Sequence, residues 1–409
     1  MMQGVQGADM AEVEGGVTAA RGFCAGAVSS GVKKSGKLDL ALIVADHACP
    51  AAGVYTLNTM AAPPVHITRR HLSGGRARAV VVNSGNANAC TGPAGIADAQ
   101  AMAEAAAASI GCAVAEVAVA STGVIGVPMP MNLVLPGIDD AAGALTADGG
   151  DAAAKAIMTT DTFTKQAAVN VECDGVVYTV GGMAKGSGMI MPNMATMLAF
   201  ITTDAPLTAE ACDGILHAAV DRTFNRITID SDTSTNDMCL LMASGDAGGA
   251  PIGLQDSRVS VLAGAILTVC DKLSRMIVRD GEGATKSVEV TVRGAASDVD
   301  AELAARSIAN SPLFKTAIFG ADANWGRVAM ALGKSGAALD SDKVEIVFAG
   351  ITTCKDGTAV AFDEARAFEA LSAAEVDVLA DLHLGSGTAT VLTCDLTYDY
   401  VRINGEYRS

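Results

Sequence analysis

Apolar residues along the chain recur with two periods, and the change from one to the other marks the elements. Leu38–Ala45, Ala79–Val82 and Glu116–Ala120 are short β-rich runs, each followed by Gly, Asn or small polar residues, and are expected to be strands. Ile96–Ile110 carries an Ala-rich helical pattern, and Thr208–Thr223, Ser257–Lys272 and Asp298–Ala309 read the same way. Gln166–Cys173 and Val176–Val180 flank Asp174-Gly175, a pair that tolerates the left-handed backbone of a tight hairpin. Lys286–Arg293, Val344–Phe348 and Ala389–Val401 complete the expected strands. Hairpins among alternating strands and helices imply a mixed α/β fold and exclude a purely parallel sheet. No internal repeat or low-complexity linker interrupts the pattern, and Gly181–Met197 is too apolar to be a tether.

Composition narrows the function. Half of the 409 residues are hydrophobic and 18% are charged, so the chain can bury a sizeable core. The formal net charge of −17 disfavours nucleic acid and anionic membrane surfaces, which are gripped by surplus Lys and Arg. Aromatic residues make up only 4%, against 44 glycines, which favours close backbone packing over stacking platforms. No stretch reaches about 18 uninterrupted apolar residues, so no membrane span is expected. The first 20 residues include Asp9, Glu12 and Glu14 and lack the basic and apolar regions of a secretory signal, so a cytoplasmic protein is expected.

The ten cysteines form no C-x-x-C pair and the five histidines no H-x-x-x-H, so neither a zinc site nor a redox dithiol is expected. Most of these cysteines read as reduced, buried, small hydrophobes. Gly31–Lys37 has the spacing of a phosphate-binding loop, but Leu38 stands where a Ser or Thr is needed. Asn83–Cys90 (NSGNANAC) fits either a substrate loop or a strand-to-helix turn, since Asn and Gly both tolerate left-handed geometry.

The segment Lys185–Asp204 is the most informative of the chain. On pattern alone it is a Met-rich loop packed into the core, with Thr196 a β-former at the start of an apolar strand. A hydroxyl after a small residue at a tight loop–strand junction is also what self-cleavage needs. Its Oγ can attack the preceding carbonyl, take the acyl group from nitrogen to oxygen, and after hydrolysis leave a free N-terminal Thr. The new α-amino group, with an ordinary pKa near 8, can act as that residue's own base, so no catalytic His is required.

Lys185–Asp204 resembles the cleavage-site signature of the ornithine acetyltransferase family, the glutamate N-acetyltransferases of arginine biosynthesis. The resemblance runs over nearly the whole chain. It includes Gly31–Ala41 (GVKKSGKLDLA), Val81–Ala89 (VVNSGNANA), Ser121–Gly126 (STGVIG) and Ile157–Thr162 (IMTTDT). It continues through Thr228–Asp237 (TIDSDTSTND), Val278–Lys286 (VRDGEGATK), Gly320–Arg327 (GADANWGR) and Tyr400–Ser409. One departure is Thr164, where the family pattern has Pro.

The resemblance implies an αββα-type sandwich with a mixed sheet, self-cleaved between Ala195 and Thr196 into chains 1–195 and 196–409 that share one catalytic unit. It makes Thr196 the nucleophile and Thr122 with Gly123 the pair that stabilises an oxyanion. It makes Thr159, Lys185, Thr196, Glu282, Asn404 and Ser409 substrate-binding. It also implies acetyl transfer from N-acetylornithine to glutamate with no cofactor. Members of the family divide into those that only recycle the acetyl group and those that also take it from acetyl-CoA as a donor substrate, and no residue of this sequence separates the two. Association of the two chains in a heterotetramer is expected. Two other readings of the residues differ in outcome: a related aminopeptidase, in which water accepts the acyl group, and a binding protein in which Thr196 is inert.

Overall fold

The computed structural model describes residues 10–191 and 197–406, which divide into two units. The first holds the described residues up to Asn225 together with Asp232–Ile277; the second holds Arg226–Ser231 and the chain from Val278 onward. Elements of the first unit are β1 (Met10–Val13), β2 (Phe23–Val28), β3 (Leu40–Tyr55), α1 (Pro63–His71), β4 (Arg76–Asn86), α2 (Gly92–Ile110), β5 (Val117–Val124), α3 (Met131–Gly143), α4 (Gly150–Ile157), β6 (Lys165–Cys173), β7 (Val176–Lys185), β8 (Leu198–Thr203), α5 (Ala209–Arg222), β9 (Met238–Ala243) and α6 (Val259–Arg279).

These strands are joined in the order β1-β6-β7-β8-β9-β3-β4-β5, with β2 also on β3. The hairpin at 174–175 forms as its residues dictate, with φ of +52° and +76°. β4–β5 and β8–β9 are parallel and the other pairings antiparallel, so the arrangement is mixed. β3 is shared: Leu40–Val44 pairs with β2 and β4, and after an irregularity Ala51–Tyr55 pairs with β9. It thereby links two layers. Between them lies one core, with Ile43, Val80, Val82 and Ala120 on one side and Met183, Phe200, Leu240 and Met242 on the other.

Helices close both outer faces. Leu42, Val81 and Val119 pack against Met102 and Ala106 of α2 and Ile138 of α3. On the opposite layer, a β-carbon added at Gly182 would meet Val269 and Leu273 of α6, and α5 packs on β3 and β9. The first unit is thus an αββα sandwich, as the family resemblance implies.

In the second unit, β10 (Ser287–Ala295), α7 (Asp298–Ala309), α8 (Pro312–Phe319), α9 (Trp325–Gly333), β11 (Glu345–Phe348), β12 (Ile351–Lys355), β13 (Thr358–Ala359), α10 (Glu364–Leu371), β14 (Glu375–Asp381), β15 (Gly387–Cys394) and α11 (Tyr398–Glu406) follow one another. The sheet order is β13-β12-β11-β14-β10-β15. Val290, Val378 and Val391 face Ile308, Phe314, Val328 and Leu371 of the helices.

One expected element is corrected. The tail does not run as a single strand from Ala389 to Val401: β15 ends at Cys394, and Tyr398 begins α11. Thr397 decides this, since its Oγ1 accepts from the backbone N–H of Asp399 and of Tyr400 and so caps a helix. The ten cysteines are all unpaired, six of them buried, and burial pushes Cys49 and Cys270 up to about 12. Among the described residues no helix is long and apolar enough to cross a membrane.

Candidate active site

The Gly31–Lys37 stretch is not a phosphate cradle. The Asp39 carboxylate accepts from Ser30 N–H and Oγ, from Gly31 N–H at 3.1 Å and from Lys33 N–H at 2.8 Å. Three backbone donors are therefore turned onto the protein's own carboxylate, and a strand follows where a phosphate-binding loop would start a helix. Lys33 Nζ donates to the carbonyls of Leu38 (2.9 Å) and Ala156 (3.3 Å). Burial lowers its pKa to about 8, against the opposing pull of Asp39 and Asp161, with Lys185 and Lys37 lowering it further.

The Asn83–Cys90 segment is a buried strand-to-helix turn. Asn83 Nδ2 donates to the Asn86 carbonyl, Asn86 Oδ1 accepts from Asn88 N–H, and Asn88 Nδ2 donates to Gly95. This network underlies the end of β5, where Thr122 and Gly123 lie. Ser84 and Gly85 pair with Thr122 and Gly123, and the register then shifts so that Asn86 faces both Thr122 and Val124. Gly123 has φ of +133° and Gly85 +98°, conformations that favour Gly. The Thr122 hydroxyl makes no hydrogen bond among the described residues. A half-buried hydroxyl beside a glycine turn can donate to a developing oxyanion.

Thr159 and Lys185 meet at Asp161, which the sequence reading assigned no role. Asp161 Oδ2 accepts from Thr159 N–H at 2.9 Å; its Oδ1 accepts from Gly186 N–H at 2.7 Å and Lys165 Nζ at 2.6 Å. Burial alone would raise this carboxyl, but the ammonium groups of Lys185 and Lys165, with these donors, hold it well below the usual carboxylate range. Ser84 Oγ donates to the Ala156 carbonyl that also receives Lys33, so the end of β4 and the segment leading to Thr159 share a support. The signals that could have found Lys33 and Asp161 were present in GVKKSGKLDLA and IMTTDT, two stretches carrying the family resemblance.

Ala195, Thr196 and Ser409 lie outside the described residues. The flanks of 192–196 are placed, however. Thr233 Oγ1 donates to the Met191 carbonyl, and Met238 N–H donates to the Met197 carbonyl at 3.1 Å. Lys185, ending β7, pairs with Leu198, the first residue of β8.

Glu282 and Asn404 are brought together in the second unit, where Asn404 Nδ2 donates to Glu282 Oε2 at 2.8 Å. Gly283, at φ +69°, permits this: a β-carbon there would stand 2.6 Å from the Tyr400 nitrogen and push α11 away. No cluster of three His, Cys, Asp or Glu that could hold a metal ion occurs among the described residues.

The ArgJ family model matches residues 24–409. The arginine biosynthesis bifunctional protein ArgJ of Symbiobacterium thermophilum is 52% identical over 397 residues, covering 97% of this chain and 99% of that protein. The protein of the same name from Geobacter sulfurreducens is 49% identical over 390 residues, covering 95% and 99%. A crystal structure of arginine biosynthesis bifunctional protein ArgJ from Bacillus halodurans superposes with a TM-score of 0.51 at 46% identity, over 52% of this chain and all of that one. Half-identity across essentially the whole length leaves no room for a different family, and the chain belongs to the ArgJ family.

Proposed function

We propose that this chain is a glutamate N-acetyltransferase that moves an acetyl group from N-acetylornithine to glutamate through an ester on Thr196. The near-whole-length likeness to ArgJ proteins of arginine biosynthesis carries this reading. In the precursor, Thr196 Oγ attacks the Ala195 carbonyl carbon, the acyl group passes from nitrogen to oxygen, and water hydrolyses that ester. Ala195 is left as a carboxylate and Thr196 with a free amine.

In transfer, that amine takes the Oγ proton as Oγ attacks the acetyl carbonyl of N-acetylornithine. The tetrahedral oxyanion is met by the Thr122 hydroxyl and the Gly123 N–H. Collapse breaks the C–N bond, the leaving amine takes up the proton, and ornithine departs. The glutamate amine then attacks the acetyl ester and loses a proton to the Thr196 amine; the C–Oγ bond breaks, Oγ takes that proton, and N-acetylglutamate leaves the free enzyme. Acetyl-CoA serves as a second donor to the same Oγ, with the thiol as leaving group.

In this reading Lys185 with Thr159 binds the α-carboxylate and Glu282 with Asn404 an ammonium group. The hydrogen bond of Thr159 and the charge of Lys185 at Asp161 support the first pairing, and the Asn404–Glu282 hydrogen bond the second. Ser409 completes the binding set. The two chains stay together after cleavage, a reading supported by β8 lying between β7 and β9.

Initial velocities measured at several concentrations of both substrates test the covalent ester. Parallel double-reciprocal lines are expected; intersecting lines would overturn it. Acetate released at equal rates with and without glutamate would instead identify a hydrolase.

A further inference from the structure

Between the two partners of the proposed chemistry runs a short segment, Thr233–Met238, to which the reading above gives no part. Its central side chain, Asn236, is buried, with 5% of its surface exposed. Asn236 Nδ2 donates to the Ser121 carbonyl at 2.9 Å and to the Ala87 carbonyl at 2.6 Å, while its Oδ1 accepts from Thr235 Oγ1 at 2.6 Å. Ser121 directly precedes Thr122 on β5, and Ala87 directly follows β4. Both N–H groups of one amide are therefore spent on the two strands that form the glycine turn.

The same segment grips the other side. Three residues before Asn236, Thr233 bridges to Ile190 and bonds the Met191 carbonyl; two residues after it, Met238 bonds the Met197 carbonyl. Thr233–Asp237 is itself fastened from behind. Asn58 Nδ2 donates to the Thr233 carbonyl, Thr56 Oγ1 to Ser234, and the Ala62 and Thr56 N–H groups to Thr235 and Asp237. A segment so tied has little freedom to yield, so its contacts set positions.

We propose that Asn236 is a positioning residue that holds the Thr122–Gly123 turn in register with the chain entering β8, and that it acts on self-cleavage and acetyl transfer alike. The inference rests on the assignment of Thr122 and Gly123 as oxyanion donors. A donor displaced by a fraction of an ångström loses much of its effect on a tetrahedral intermediate while leaving substrate binding largely intact. Asn236 touches no reacting atom.

The test is Asn236→Asp, which preserves shape and Oδ acceptance but turns an anionic oxygen toward the Ser121 and Ala87 carbonyls. At neutral pH, kcat for exchange is expected to fall by about a hundredfold and precursor processing to slow, with KM changed by less than about threefold. Lowering the pH protonates the new carboxyl, which then donates one hydrogen bond. Relative to wild type at the same pH, the variant's kcat should therefore recover on the acid side, a response that loss of packing alone would not give. Asn236→Ala, measured alongside for thermal stability, should slow kcat without acid recovery. Thr122→Ala serves as the reference. A slow Thr122→Ala beside a normal Asn236→Asp would overturn the inference and spare the mechanism. Normal kcat and processing in both would overturn the two together.

Discussion

Gly123 lies so close to Gly85 that a β-carbon built on it would stand 2.3 Å from the Gly85 carbonyl carbon and 2.5 Å from the Asn86 nitrogen. Both obstacles are backbone, and the φ of +133° is itself strained for an L side chain. Gly123→Ala is therefore expected to displace the turn, abolish transfer and lower the melting temperature. Thr122→Ala, which removes a half-buried hydroxyl and its γ-methyl but adds no clash, should slow kcat by about a hundredfold and leave the melting temperature near that of the wild type. Thermal unfolding measured beside initial rates separates the two effects.

Thr196 is assigned two tasks on one oxygen. Thr196→Ala should yield an intact 409-residue chain without transferase activity. Thr196→Ser keeps the hydroxyl and should retain some of both reactions, slowed by its freer side-chain torsion. In the wild type, N-terminal sequencing of the downstream fragment should read Thr-Met-Leu-Ala-Phe. Full activity in unprocessed Thr196→Ala would refute the mechanism.

Asp161→Asn leaves the fully buried Lys165 ammonium without its 2.6 Å carboxylate partner. Breaking such a pair from one side costs roughly 3–5 kcal/mol, to be read from denaturant unfolding. Because the folded carboxyl is held below its ordinary pKa, its stabilisation is complete above about pH 4 and is lost as the pH falls from there toward the depressed folded value. The wild type should lose stability over that acid range, and the variant should lose less.

Asn404→Ala removes the amide that donates to Glu282 at 2.8 Å. Asn404 is exposed, so folding should be little affected, whereas KM for amino-acid substrates should rise about tenfold. An unchanged KM for both substrates would remove Asn404 from the binding set.

What the amino-acid pattern disclosed was local. The Asp174-Gly175 hairpin and the start of α5, where Thr208 caps by accepting from Ala211 N–H, are written in adjacent residues. β3 runs on to Tyr55, beyond the expected Ala45, because burial and pairing with β9 override the Pro at position 50. The tail failed for the opposite reason. Tyr398–Val401 has β-forming side chains, but the Thr397 cap prevails. Lys33, Asp161 and Asn236 stayed hidden as individual side chains, although each sits in a stretch that carried the resemblance. Their partners are mostly distant in sequence: Lys33 reaches Ala156 across 123 positions, and Asn236 reaches Ser121 across 115. No periodicity encodes such meetings.

The placement of β8 bears on how such a protein must be inherited. β8 starts at Leu198, the third residue past the proposed cut, and hydrogen-bonds to β7 from one side of that cut and to β9 from the other. A chain severed after folding keeps these bonds, whereas two polypeptides translated separately would have to find each other with strand edges bare, an invitation to aggregate. Encoding both halves in one reading frame, and breaking the backbone only once the sheet has formed, avoids that hazard.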